Sequence, residues 1–303
     1  MDPVYAVAIF VLGLAFGSFL NVCVYRLPRD LSVVRPGSAC PNCQHPVRFY
    51  DNLPVLSWLL LGGRCRDCKA RITPRYLAVE LLTGLLFLAC YWHFGLSLAT
   101  LKYCVFGFLL LGLIFTDAEM FLLPDKMTLT GLGLGLAFSL FVPVNDLASQ
   151  LLPGMVSLSL HSPWLSLADS ILGALVGSAF LYGAGAIYLR ARGVEGMGFG
   201  DVKLMAMVGA FLGVKLTIFT IFAASIAGSL FGLWTVLIVW MKRTRRRIAC
   251  NHEPAPTARR RAWASAAVAL RHHQMPFGVF LGSMAMLAFF FGDEFLRWYW
   301  GLL

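Results

Sequence analysis

Gly198-Phe199-Gly200-Asp201-Val202-Lys203 puts an aspartate at the start of a long apolar segment, with a glycine directly before it and another two residues earlier. A carboxylate beside such a segment is costly unless it is neutral, paired or functional. Glycine permits backbone conformations that other residues avoid and lets a second chain approach closely. The sequence therefore indicates that Asp201 has a partner elsewhere in the chain.

The bulk composition is typical of an integral membrane protein. Of the 303 residues, 59% are hydrophobic and 13% are charged, whereas soluble domains have about 45–50% apolar and about 25% charged residues. Apolar runs near the roughly 20 residues that span a bilayer recur along the chain. Because helices satisfy their own backbone hydrogen bonds in lipid, we predict an all-α polytopic fold. The net charge of +10 fits the enrichment of Lys and Arg in cytoplasmic loops, so no nucleic-acid partner is expected.

The alternation of apolar and basic stretches predicts about eight transmembrane helices, with both termini outside. We expect the helices near 4–25, 76–94, 101–115, 127–142, 168–189, 202–214, 216–240 and 276–291. This gives a first transmembrane helix at 1–25, a cytoplasmic domain at 26–76 and a membrane domain at 77–303. Spacings such as Gly13/Gly17, Gly173/Gly177 and Gly209/Gly213 predict close helix packing.

Two connecting segments are long. Residues 145–167 carry no Lys or Arg and are expected outside, with no function assigned. Residues 241–275 contain clusters such as Arg245-Arg246-Arg247 and Arg259-Arg260-Arg261. We predict that this segment is a partly disordered cytoplasmic loop that binds anionic membrane lipid.

Four cysteines form two C-x-x-C pairs, Cys40/Cys43 and Cys65/Cys68, separated by 21 residues. Four thiolates at this spacing match tetrahedral zinc. In a reducing cytoplasm, a metal site is favoured over disulfides. A closed four-sulfur site leaves no position for a substrate, so we predict structural zinc in the domain at 26–76. Four free cysteines in a polar loop are the alternative.

Another turn, which we expect at the same membrane face, contains three candidate partners for Asp201. They are Asp117, Glu119 and Asp125. Two adjacent carboxylates share a proton, so that one can act as a base toward water and the other as an acid toward a carbonyl oxygen. Such a pair could hydrolyse an amide without a metal. The alternative is that these acids only begin or end helices, and charge and spacing do not choose among the three partners.

The motifs together resemble the type 4 prepilin peptidases, a family of membrane aspartyl proteases. Gly198-Phe199-Gly200-Asp201 is similar to the G-x-G-D signature of such proteases, and Asp117 with Pro124-Asp125 is similar to the other acidic motif. The resemblance extends over nearly the whole chain. It includes these further stretches: Gly17–Val22, Tyr25–Pro28, the cysteine domain with Asp51–Leu59, Arg75-Tyr76, Glu80–Thr83 and Pro276–Gly278.

The resemblance implies that the chain cleaves basic leader peptides from prepilins or pseudopilins at the cytoplasmic face of a bacterial inner membrane. It implies N-methylation of the new N-terminus with S-adenosylmethionine. Asp117 and Asp201 match the catalytic pair, whereas Asp125 matches an acid that is not catalytic; Gly198, Gly200 and Lys203 have supporting roles. The glycines are interpreted as a close-approach site for a peptide backbone. No glycine-rich fingerprint reveals the methyl-donor site.

Two other classes of protein remain as alternatives. An ion-coupled transporter could use the same intramembrane acids as a relay, although we find no internal repeat of the kind that many transporters carry. A zinc-anchored membrane scaffold would need no catalysis. The sequence does not indicate the oligomeric state.

Overall fold

The computed structural model describes residues 2–144, 163–194, 196–251, 254–271 and 275–301. These residues form helices and turns, with isolated β-bridges but no strands among them. The helices are α1 Pro3–Arg26, α2 Leu56–Leu60, α3 Arg75–Phe94, α4 Leu98–Met120, α5 Asp125–Ser139, α6 Pro163–Arg192, α7 Phe199–Asn251, α8 Ala255–Arg271 and α9 Phe277–Trp300. The predicted all-α membrane class is confirmed.

Six helices in the described ranges are long and apolar enough to cross a membrane, namely α1, α3, α4, α6, α7 and α9. Helix α5 has 15 residues, or about 22 Å at 1.5 Å per residue, which is short of a ~30 Å hydrocarbon core. Helix α7 is interrupted at Gly213, whose φ of 81° lies in the region that favours glycine. The count of eight crossings is therefore not confirmed and stays a prediction.

Glycines let two helix pairs approach at backbone distance, as the spacing predicted. A Cβ atom on Gly17 of α1 would lie 2.7 Å from the Cα of Glu80 in α3, and one on Gly13 would lie 2.8 Å from the Cα of Gly84. On the other side of the bundle, Gly173 of α6 meets the backbone of Gly209 in α7. These contacts fix α3 against α1, and the first part of α7 against α6.

The basic segment is helical where it is described, so the prediction of a partly disordered loop at 241–275 is wrong there. Helix α7 continues to Asn251, and α8 packs against it. The side chains of Ala258, Ala262 and Ala266 are buried, and their spacing of four gives α8 an apolar seam. Trp240 of α7 donates its indole N–H to the carbonyl of Arg259, at 3.0 Å. Arginines dominate the composition of this segment, so its sequence pattern did not predict the seam.

The predicted outer segment at 145–167 is only partly within the described ranges. Residues 145–162 lie outside them, and residues 163–167 belong to α6, which begins five residues earlier than predicted.

Candidate functional site

Two buried carboxylates meet where α4 ends and α7 begins. Asp117 lies in the last turn of α4 and is 6% exposed, and Asp201 lies in the first turn of α7 and is 8% exposed. The two side chains interact electrostatically. Among the three acids predicted as partners of Asp201, Asp117 is the one whose charge acts on it.

The start of α9 holds the carboxylate of Asp117 in place. The Oδ2 atom of Asp117 accepts a hydrogen bond from the backbone N–H of Val279, at 3.0 Å. A Cβ atom on Gly278 would lie 2.8 Å from the same oxygen, so a side chain there would displace the carboxylate. The unpaired N–H groups at a helix N-terminus favour an anion. The family resemblance includes Pro276–Gly278, but the sequence does not predict this contact, because 162 residues separate Asp117 from Val279.

Glu119, the second predicted candidate, belongs to a different contact. Arg75 at the start of α3 donates from one Nη1 atom to both of its carboxylate oxygens, at 2.6 and 2.5 Å. This ion pair joins the first turn of α3 to the last turn of α4. Sequence spacing could not reveal a pair of residues that lie 44 positions apart.

Asp125, the third candidate, pairs with Lys203. The Nζ atom of Lys203 lies 2.7 Å from each oxygen of the Asp125 carboxylate. The pair links the first turn of α5 to the first turn of α7, two residues beyond Asp201. Lys203 therefore has a definite contact that the sequence analysis did not identify.

The two glycines of the opening motif have different surroundings. A Cβ atom on Gly200 would lie 3.1 Å from the Cβ atom of Leu123, so this glycine allows a tight contact within the protein. A Cβ atom on Gly198 would meet nothing nearer than 4.0 Å. The interpretation of the motif as an approach site for a peptide backbone stays a prediction, and only Gly198 leaves space for it.

The four predicted cysteines form one cluster between α1 and α3. The Sγ atoms of Cys40, Cys43, Cys65 and Cys68 all lie within 4.8 Å of one another. The Sγ atoms of Cys40 and Cys68 are 3.8 Å apart, which is about the separation of two sulfurs bound at ~2.3 Å to a tetrahedral zinc ion. The donor set therefore fits zinc. His45 is not a member of the cluster.

The two halves of the cluster have the same local geometry. In the first, Gln44 follows the second cysteine with a φ of 59° and donates its N–H to the carbonyl of Cys40. In the second, Lys69 has a φ of 58° and donates to the carbonyl of Cys65. Each half is thus a turn that directs two sulfurs to one point, and the left-handed residue after each C-x-x-C was the feature that sequence analysis missed.

Polar contacts around the cluster lower the pKa values of two groups, Cys68 and Asp51. Hydrogen bonds from the backbone of Ala70 and from the amide of Asn42 lower the pKa of Cys68 to about 6. Hydrogen bonds from Arg66 hold the pKa of the Asp51 carboxyl below its usual range. Asp51 is therefore ionised at neutral pH, and its pair with Arg66 ties residues before α2 to the second half of the cluster.

Known families match both parts of this arrangement. Residues 11–94 match the Bacterial Peptidase A24 N-terminal domain, and residues 104–233 match the Type IV leader peptidase family. The first match contains the cysteine cluster, and the second contains both buried aspartates.

Whole-chain relatives share the name prepilin leader peptidase/N-methyltransferase. The protein from Aeromonas hydrophila is 32% identical over 97% of this chain and 93% of its own length. The protein from Pseudomonas aeruginosa is 32% identical over the same shares of the two chains. The protein from Myxococcus xanthus is 39% identical over 78% of this chain, and the match spans 64% of that relative's length.

No solved structure is significantly similar to this chain. The two family matches follow one another in chain order, and the relatives align along nearly the whole length. On this evidence, the chain belongs to the type IV leader peptidase family.

Proposed function

We propose that this protein is an aspartic endopeptidase and N-methyltransferase that removes the basic leader from prepilins or pseudopilins and methylates the new N-terminus. The observation that carries the proposal is the pair of buried carboxylates, Asp117 and Asp201, at adjoining helix ends. The names of the relatives support both activities.

The two carboxylates would divide the work of peptide hydrolysis. The ionised one removes a proton from a water molecule, and the protonated one donates to the carbonyl oxygen of the scissile bond. The N–H of Val279 donates a hydrogen bond to the Oδ2 atom of Asp117. This bond fixes the orientation of the Asp117 carboxylate. The rate should have a bell-shaped pH profile that belongs to the pair.

The remaining acids support this division of roles. Glu119 and Asp125 each have a cationic partner, Arg75 and Lys203 respectively. The oxygens of both carboxylates are thus engaged by cations, whereas the charge of Asp117 acts on Asp201. We therefore assign Asp125 and Lys203 a positioning role and reserve catalysis for Asp117 and Asp201.

The cytoplasmic face of a bacterial inner membrane is the proposed location of the site. The segment 26–75 that follows α1 carries nine Lys or Arg residues and three acids, and such a bias is typical of cytoplasmic segments. Arg75 and Lys203 both contact the acids at the helix ends that form the site, so the site and this segment share one end of the bundle. A prepilin would place its apolar segment among the helices and keep its basic leader inside.

The cysteine cluster would hold structural zinc. Its four thiolates complete a tetrahedral shell, and metal binding would fold a segment that has little apolar core of its own. S-adenosylmethionine, when bound, would supply the methyl group to the free amine of the cut pilin. This chain must bind that donor and the amine side by side.

Mass spectrometry of a prepilin peptide incubated with the purified protein and S-adenosylmethionine tests the proposal. Loss of the leader and the gain of one methyl group are expected. Asp117→Asn and Asp201→Asn should each abolish cleavage, whereas Asp293→Asn, an exposed acid at the opposite end of α9, should keep it. Normal cleavage by either of the first two variants would refute the assignment.

Two other functions predict an intact peptide in this assay. An ion-coupled transporter would instead show proton or cation flux that depends on Asp117 and Asp201 after reconstitution into vesicles. A zinc-anchored scaffold would show neither flux nor cleavage. The neighbouring buried carboxylates favour the peptidase over the scaffold, since a scaffold does not require them.

A further inference from the structure

A cavity of about 300 Å³ lies between the cysteine domain and the adjoining ends of α1 and α3. Its volume is at the lower end of the ~300–1,000 Å³ range of small-molecule sites. Helix α1 contributes Ser18 and Asn21 to its wall, and helix α3 contributes Tyr76 and Glu80. The peptidase carboxylates Asp117 and Asp201 do not line it. The cavity is therefore separate from the carboxylate pair, and it borders the cysteine cluster, since Cys40 and Cys65 belong to its wall.

One residue of the cavity wall, Asn21, has an amide oxygen without a partner. Asn21 is 3% exposed, and its Nδ2 atom donates to the carbonyl of Tyr76, at 3.0 Å. Its Oδ1 atom is buried and accepts no hydrogen bond. An unsatisfied buried acceptor costs about 1–3 kcal/mol, so this atom calls for a ligand that brings an N–H or O–H donor.

Glu80, which also lines the cavity, has hydrogen-bond donors but no cationic partner among the described residues. It is 8% exposed, and its carboxylate accepts hydrogen bonds from the backbone N–H of Val55, at 2.8 Å, and from Ser18. None of the ion pairs within the described residues includes Glu80. The carboxylate has its hydrogen bonds but no positive charge beside it. A cationic ligand in the cavity would supply that charge.

Val55, which also lines the cavity, has a strained backbone conformation. Its φ of 63° and ψ of −53° are an outlier for a β-branched residue. Strain of this kind costs about 1–3 kcal/mol and persists where the surroundings enforce it, which is often at ligand sites. Here the contact with Glu80 holds the Val55 amide in its unusual direction.

We propose that this cavity is the binding site for S-adenosylmethionine, with its sulfonium beside Glu80 and one of its N–H groups donating to Asn21 Oδ1. A sulfonium carries a positive charge but no N–H, which matches a carboxylate that already has hydrogen-bond donors. The indole of Trp58, also in the wall, offers an apolar face for the purine. The exposed Arg71 at the rim suits the donor's carboxylate. This inference rests on the proposed N-methyltransferase function.

The test measures binding without any prepilin. Equilibrium dialysis with the full-length protein in detergent compares S-adenosylmethionine with S-adenosylhomocysteine, which lacks the positive charge at sulfur. Glu80→Gln keeps the size of the side chain and an oxygen for the Val55 amide but removes the charge. We expect it to weaken S-adenosylmethionine binding by about 10- to 100-fold and S-adenosylhomocysteine binding much less. Glu294→Gln, an exposed acid outside the cavity, is the matched control and should bind both as the wild type does.

The outcomes separate this inference from the function on which it rests. Wild-type affinity of Glu80→Gln for both ligands would overturn the site while leaving the methyltransferase function intact. A wild-type protein that cleaves prepilin but binds neither ligand would refute the methyltransferase function as well. Failure of Glu80→Gln to cleave prepilin would indicate that the variant is misfolded. In that case, photocrosslinking of labelled S-adenosylmethionine to the wild-type protein tests the location of the site. Label on peptides from 18–80 supports the site, and label confined to 104–233 overturns it.

Discussion

The backbone N–H of Val279 donates to the Oδ2 atom of Asp117 across 3.0 Å. The residue before it, Gly278, approaches that oxygen so closely that a Cβ atom would lie 2.8 Å away. The first turn of α9 thus fixes the position of one proposed catalytic carboxylate, although α9 contributes no acid to the pair.

Gly278→Ala should therefore impair cleavage without removing a reacting group. The new methyl group would displace the Asp117 carboxylate, and a displacement of about 1 Å can cost roughly 100-fold in rate. We expect a 10- to 100-fold loss of peptidase activity on a prepilin peptide, with methylation of an already cut peptide retained. Gly133→Ala in α5 is the control, because a Cβ atom there would meet nothing within 4 Å. Equal activity of the two variants would contradict the positioning role.

The pair Lys203–Asp125 should make a small, salt-dependent contribution to stability. Asp125 is 58% exposed, and exposed pairs contribute about 0.2–1 kcal/mol. A double-mutant cycle with Lys203→Met and Asp125→Asn, followed by thermal unfolding, should give a coupling free energy in this range that declines in high salt. The pair Lys126–Asp30 is longer, at 3.4 Å, and more exposed, so its cycle should show no coupling. A coupling that is equal for both pairs would argue against a specific role for Lys203.

Removal of any cluster cysteine should release the metal. A serine at Cys40, Cys43, Cys65 or Cys68 removes one of four thiolates from a closed site. We expect lower zinc content by elemental analysis, and lost methylation or a misfolded N-terminal domain, since metal binding and folding are coupled. Cys104→Ala, in the apolar core of α4, should keep its zinc. Full metal content in all four serine variants would rule out the proposed zinc site.

The arginines at the start of α8 should attract anionic lipid. Arg259, Arg260 and Arg261 are exposed, and Trp240 and Trp263, whose rings meet edge to face beside them, are of the type found at membrane interfaces. Replacing all three arginines by Gln should weaken the preference for anionic lipid by about 1 kcal/mol per charge. The measurement is the ratio of anionic to zwitterionic lipid retained by the purified protein. An unchanged ratio would contradict the lipid role, and Arg297→Gln in the last turns of α9 is the single-charge control.

Sequence patterns predicted the features that depend on local residue types. Apolar length predicted the membrane helices, C-x-x-C spacing predicted the sulfur cluster, and glycine spacing predicted the close contacts of Gly17 and Gly173. Each of these depends on residues near one another in the chain, so the pattern carries the information.

Contacts between distant residues were not predictable in this way. The sequence does not show which of the three acids, Asp117, Glu119 or Asp125, lies beside Asp201, because any of them could reach it in a bundle of unknown packing. The structure distinguishes them by their partners: the Val279 amide, Arg75 and Lys203. The family resemblance indicated Asp117, and it included Glu80–Thr83 without indicating the cavity beside Glu80.

Helix α3 joins the two halves of the chain by contacts of two kinds. Glu80 holds the cysteine domain through a backbone amide, which any residue except proline provides. Arg75 holds α4 through the side chain of Glu119, which requires a matched pair. In a chimera, the contact between Glu80 and residue 55 would thus tolerate a change of the side chain at position 55. A foreign α3 without arginine in its first turn would leave Glu119 unpaired two residues after Asp117. The N-terminal domain is consequently not an independent cassette, and its boundary for exchange lies before Arg75, not after it.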